Sequence, residues 1–85
     1  MQDVSCQFSI YPLGTPELGV GIDAAVAAVR RRGLHVELGA MSSTVSGPSD
    51  AVFAALGDAF DAAASGGCVL VATVSNACPV RGAGP

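Results

Sequence analysis

The sequence predicts an α+β sandwich: four antiparallel strands in one sheet, with two helices packed on a single face. Three observations carry that prediction. Residues 4–11 alternate strictly, with Val4, Cys6, Phe8 and Ile10 on one side and Ser5, Gln7, Ser9 and Tyr11 on the other, the period-two pattern of a strand with one buried face. Two later stretches repeat at helical spacing, Ile22-Ala25-Val26-Val29 and Val52-Phe53-Leu56-Ala59-Phe60-Ala63, each marking one apolar face. Breaks around residues 12–16, at Gly33, and around 39–41, 47–49 and 65–67, each holding a Gly, then cut the chain into strand, helix, strand, strand, helix, strand.

Each element follows from its residues. The first strand is expected to stop at Pro12, which has no N–H for a ladder, and the Gly14 and Pro16 loop leads to the first helix. Gly19 and Gly21 weaken that helix's first turn. The arginine run Arg30-Arg31-Arg32 complements the dipole at its end, and Gly33 suits the residue just past it. Leu34 to Leu38 alternates again, with His35 and Glu37 on the polar side. A short turn at Gly39-Ala40-Met41 joins it to a third strand over Ser42 to Ser46, which makes the pair an antiparallel hairpin. Ser49 is placed to cap the second helix and Asp50 to meet its dipole. Gly57 falls in mid-helix, at a cost of about 1 kcal/mol against Ala, and is expected to permit close packing on the sheet. Cys68 to Ser75 is the fourth strand. Right-handed crossovers place both helices on one face, so the order βαββαβ reads as a ferredoxin-like sandwich with the first and third strands central. The domain is expected over residues 1–80, with 81–85 a flexible Gly/Pro-rich tail.

Composition excludes several functions. The chain has 85 residues, 51% of them hydrophobic and 13% charged, which argues for one small packed domain and against disorder. Much of the apolar content is Ala and Val, so self-association is expected to bury more. A net charge of −3 with only four basic residues does not make a phosphate-tracking surface, so nucleic acid is not expected. No apolar run is long enough to cross a bilayer, and since Gln2-Asp3 lead straight into the first strand, a secretory leader is not expected. Cys6, Cys68 and Cys78 form no CxxC pair, and His35 is the only histidine. Buried free thiols in a reducing cytoplasm are expected, with no metal site. No phosphate loop, dinucleotide fingerprint or Ser–His–Asp set is present, so catalysis is not expected.

The uncovered sheet face carries the candidate site. Ser5, Gln7, Ser9 and Tyr11 point there, joined by His35 and Glu37, and by Thr73 and Ser75 on grounds of polarity; from the third strand come either Ser42, Thr44 and Ser46, the simpler choice because it leaves Val45 for the core, or Ser43 with Val45. This face is either a hydrated or sheet-to-sheet contact surface, or a shallow pocket roofed by a second subunit. Tyr11 offers a ring platform for a flat heteroaromatic ligand, and Glu37 an acceptor for a protonated ring nitrogen or amine.

Three segments in order, Gln7-Phe8-Ser9-Ile10-Tyr11-Pro12-Leu13-Gly14, Met41-Ser42-Ser43-Thr44-Val45-Ser46-Gly47 and Val74-Ser75-Asn76-Ala77-Cys78-Pro79, resemble the YkoF-like family of thiamine-binding proteins. The resemblance spans about residues 4 to 80 and implies a ferredoxin-like subunit that forms dimers or tetramers through sheet faces or edges. It implies binding of thiamine or its hydroxymethylpyrimidine precursor as a ligand, without a cofactor or chemistry, and a link to a vitamin-uptake transporter. Motif membership combined with a polar or aromatic side chain nominates Ser9, Tyr11, Thr44 and Asn76 for the ligand, with Glu37 and Ser43 behind them. The chain departs from the family in its Ala and Gly richness and in Gly19 and Gly21. The alternative function is a self-association or regulatory module of the same fold that takes no ligand.

Overall fold

The computed structural model describes residues 3–14, 18–39, 42–63 and 66–77. Its elements are β1 (Asp3–Leu13), α1 (Leu18–Arg30), β2 (Val36–Leu38), β3 (Ser43–Pro48), α2 (Ser49–Ala63) and β4 (Gly67–Ser75). The strands form one sheet in the order β2-β3-β1-β4, every neighbouring pair antiparallel. This is the expected βαββαβ ferredoxin-like α+β sandwich, with β1 and β3 central. The tail expected at 81–85 and Cys78 lie outside the described residues.

The alternation of β1 organises the core. Val4, Cys6, Phe8 and Ile10 are buried against the helices and meet Val36 and Val45 from the hairpin, Ala25, Val26 and Val29 from α1, and Val52, Ala55, Leu56, Ala59 and Ala63 from α2. Burial holds the Cys6 thiol above its ordinary pKa, because the apolar surroundings disfavour the thiolate. α1 packs toward β2 and α2 toward β4. Gly33 takes a positive φ of 78° and donates its N–H to the Arg30 carbonyl at 2.9 Å, closing α1 as a residue with a side chain does less readily. Arg32 then reaches across the helix layer, donating from Nε to Asp58 Oδ2 at 2.6 Å. This pairing raises the Arg32 pKa and lowers that of Asp58.

Four local expectations change. β1 does not stop at Pro12 but continues to Leu13, paired along its whole later half with β4. Ser43 is the last β3 residue paired with β1, opposite Phe8, so beyond Phe8 one flank of β1 is an edge, where a strand tolerates proline. β3 runs on through Gly47 and Pro48 straight into α2, while β2 is only three residues long. Asp50 does lie in the first turn of α2 as expected, and its Oδ1 accepts from the Ala51 N–H at 2.8 Å. On α2, Phe53 and Phe60 are not core residues: they are 57% and 41% exposed, and Ala55 takes the buried place instead. Two wide phenyl rings lie at the margin of the helix's buried arc, and the narrow interface with α1 and the sheet is filled by alanines. Gly57 does not pack on the sheet, since a Cβ there would meet no atom within 4 Å.

Candidate functional site

The register fixes which face each candidate occupies. Gln7 pairs with Thr44 and Ser5 with Ser46; Glu37 also pairs with Thr44; Gln7 pairs with Thr73, Ser9 with Val71 and Tyr11 with Val69 on β4. Directly opposed residues point to the same side, so Ser5, Gln7, Ser9, Tyr11, Glu37, Thr44, Ser46, Thr73 and Ser75 share the outer face. That face divides in two. Around Gln7 it is polar, and the Ser46 hydroxyl lies 3.4 Å from that of Ser5, as donor to it. Toward the end of β1 it is apolar, with Tyr11, Leu13, Val69 and Val71 each about half exposed.

The structure does not gather all six candidates at one point. Ser9 and Tyr11 are neighbours on β1, with Ser9 half-buried and Tyr11 53% exposed. Thr44 and Glu37 face each other across β2 and β3. Ser43 has the opposite parity: it is buried and lies on the helix side against Phe8. Asn76 follows the end of β4 in a turn where the Ser75 hydroxyl accepts the Ala77 N–H at 3.0 Å. Ser75 is opposite Ser5, six residues from Tyr11, so Asn76 and Tyr11 stand roughly 20 Å apart along the strand direction.

A cavity of about 560 Å³ lies at the notch that the short hairpin leaves beside β1. Phe8, Ile10 and Pro12 line one wall, Ile22, Ala25 and Val26 of α1 another, and Leu38, Gly39, Ser42 and Ser43 a third; Ser9, Tyr11 and Leu13 complete the lining from β1. The Gly39 N–H donates to the Ser42 carbonyl at 2.8 Å and ties the hairpin end that forms the third wall. Three of the six candidates, Ser9, Tyr11 and Ser43, therefore border one space. The lining is apolar with a few hydroxyls and carries no charged side chain among the described residues. Its size and chemistry are those of a small-molecule pocket. A shallower groove of about 420 Å³ shares Val26 and Leu38 with it and bears Asp23, Arg30 and Arg31.

Sequence reasoning missed the walls from α1 and the hairpin. Ile22 and Leu38 both fit their elements' apolar patterns, yet they are 38% and 60% exposed at this notch. The legible signal was the mismatch of lengths: a long first strand beside a much shorter hairpin cannot be paired throughout. Among the described residues no group of three or more His, Cys, Asp or Glu could hold a metal ion, and no helix is long and apolar enough to cross a membrane.

Known proteins give the arrangement a family. No curated protein matches the sequence significantly. Solved structures share the fold. A protein of Methanocaldococcus jannaschii described as hypothetical superposes with a TM-score of 0.84 at 21% identity, over 95% of this chain and 87% of that one. A domain of unknown function from Bacillus cereus gives 0.78 at 24% identity, over 94% and 83%. A Thermotoga maritima protein assigned provisionally to thiamine biosynthesis or salvage gives 0.74 at 19% identity, over 85% and 81%. The family model for the thiamine-binding protein matches residues 6–77, from the middle of β1 through the turn after β4. The chain belongs to the thiamine-binding protein family.

Proposed function

We propose that this chain binds thiamine or its hydroxymethylpyrimidine portion and performs no chemistry on it. The observation that carries the reading is the cavity beside β1: about 560 Å³, apolar, with Tyr11, Ser9 and Ser43 among its lining residues, in a chain matched by the thiamine-binding family model. An aminopyrimidine is flat and uncharged, and suits apolar walls with an aromatic ring and a few hydroxyls. A thiazolium cation does not, because burying a charge without a partner is costly. The pyrimidine therefore enters the cavity and the cationic ring stays at the mouth. Glu37 and Thr44 on the outer face, and Asn76 at the far end of the sheet, reach a ligand from a second subunit of a homo-oligomer. Unpaired Cys6 and Cys68 suit a reducing cytoplasm.

Calorimetric titration with thiamine and, separately, with hydroxymethylpyrimidine tests this reading. Saturable heat with a rise in melting temperature is expected for both. Absence of heat and of any thermal shift at millimolar ligand rejects it. A second reading, a ligand-free association module, draws support from the apolar end of the outer face, where Tyr11, Leu13, Val69 and Val71 stand half exposed. Under that reading Tyr11→Ala changes the oligomer, and there is no ligand affinity to lose.

A further inference from the structure

The shallower groove of about 420 Å³ continues along α1 from the cavity, since Val26 and Leu38 line both. The two spaces differ in charge. The cavity lining has no charged side chain among the described residues, whereas the groove bears Asp23, Arg30 and Arg31. The chain as a whole is poor in positive charge: four basic residues against a net charge of −3. Three of the four are Arg30, Arg31 and Arg32.

Closing the helix does not account for all three arginines. Backbone groups already satisfy the last carbonyls: the N–H groups of Arg31, Arg32 and Gly33 donate to the carbonyls of Ala27, Val29 and Arg30 at 3.0, 3.1 and 2.9 Å. Arg32 is taken by Asp58. Arg30 and Arg31 stay exposed at the groove, without an ion pair to another described residue. Asp23 and Arg30 are seven residues apart, roughly 10 Å along the axis, beyond the three- and four-residue spacings at which a helix pairs its own side chains. Val26 and Ala27 fill the face between them. Asp23 is level with the cavity wall at Ile22 and Ala25, and the arginines lie one to two turns beyond it. Apolar walls, a carboxylate and two guanidiniums therefore follow one another along α1.

We propose that the groove is the phosphate end of the binding site and that the ligand is a phosphate monoester of thiamine, with Asp23 meeting the thiazolium cation at the cavity mouth and Arg30 and Arg31 holding the phosphate. The proposal rests on the reading of the cavity as a pyrimidine site. The ester has the matching order of charge: a neutral flat ring, a cation, then a phosphate that is nearly dianionic at pH 7. Two methylenes and an ester oxygen set its phosphorus roughly 5 Å beyond the thiazolium ring by ordinary bond lengths. Side chains on a helix lean toward its N-terminus, which brings the guanidiniums back toward Asp23 and shortens the span. Guanidinium donors match phosphate oxygens in pairs. The end of α1 by itself disfavours an anion, so the hold on the phosphate falls to the two arginines.

Calorimetric titration of the full chain with thiamine monophosphate, thiamine, hydroxymethylpyrimidine and hydroxymethylpyrimidine phosphate tests the assignment. Thiamine monophosphate is expected to bind about tenfold more tightly than thiamine. In Arg30→Gln/Arg31→Gln, on exposed positions and with an unchanged circular dichroism spectrum, the ratio of those two affinities should fall to near one. Asp23→Asn should weaken both thiamine compounds relative to hydroxymethylpyrimidine, which has no cation. Thiamine binding with no gain from the phosphate overturns this proposal and leaves the cavity reading standing; no binding of any of the four rejects both. A gain that persists in the arginine variant removes Arg30 and Arg31 from the site. A pyrimidine ester that gains as much over its own alcohol overturns the choice of the thiamine ester and the role of Asp23.

Discussion

A Cβ placed on Gly21 would lie 2.8 Å from Cγ of Pro12. The start of α1 thus crosses the end of β1 at a distance that only a bare backbone allows, and Pro12 is buried beneath it. The glycine that weakens the helix on propensity grounds is the one that lets it approach the strand. The same crossing brings Ile22, Ala25 and Val26 beside Ile10 and Pro12, where they wall the cavity.

Two glycine-to-alanine changes in helices should therefore differ in sign. Gly57→Ala meets no atom within 4 Å and should stabilise by about 1 kcal/mol through helix propensity. Gly21→Ala must push the rigid Pro12 ring, an overpacking cost of about 1–3 kcal/mol that outweighs the same propensity gain. Urea unfolding of both variants at low protein concentration measures the contrast; equal stabilisation would show the crossing to be looser than described.

Phe8 is the largest fully buried side chain among the described residues, 2% exposed on the central strand. Phe8→Ala should cost about 3–5 kcal/mol, a large share of the roughly 4–13 kcal/mol that a chain of this size holds. Thermal melts should show Phe8→Ala unfolded or close to it at 37 °C, and Phe8→Leu folded with a lower midpoint.

The Arg32 guanidinium holds the Asp58 carboxyl below its ordinary pKa. A depressed carboxylate adds stability above its unfolded pKa, and that contribution fades as pH falls through the folded value. Both partners are exposed, so the effect is small and screened by salt. The melting temperature of wild type should exceed that of Asp58→Asn slightly at pH 7, and the gap should close on acidification from about pH 4 downward. A gap that widens in acid would contradict the pairing.

Cys6 is 1% exposed and its pKa is raised by burial. The thiolate is the reactive form, so Cys6 should resist alkylation at pH 8 in the native protein and react at once in denaturant. Peptide mapping after iodoacetamide treatment distinguishes it from the other thiols. Cys6→Ser should destabilise by about 1–3 kcal/mol, because it buries a hydroxyl among apolar atoms.

Tyr11 borders the cavity and is half exposed, so its removal spares the core. Tyr11→Ala should weaken the hydroxymethylpyrimidine affinity by about tenfold with little change in unfolding midpoint. Calorimetry of the variant checks this, and an unaltered affinity would move the ring out of the site.

Much of the architecture was legible because periodicity is local. Val4 through Ile10 alternates without exception, and the outer set Ser5, Gln7, Ser9 and Tyr11 follows from it; the register confirms Thr73 and Ser75 on the same face. Ser43 was harder to place, because a short run of Ser, Ser and Thr carries no hydrophobic contrast from which to read its parity. Phe53 and Phe60 misled for a related reason: helical spacing marks a wide apolar arc, and only the neighbouring elements decide how much of that arc is covered.

The sequence by itself determined the element order, the inward face of β1 and the antiparallel hairpin, since each depends on residues close together in the chain. Tertiary structure alone decided the lengths to which strands pair, and hence the notch beside β1. Pairing length depends on where separate elements end against one another. That is why the cavity borders Ser9 and Tyr11 but is walled by Ile22 and Leu38, far from them in sequence.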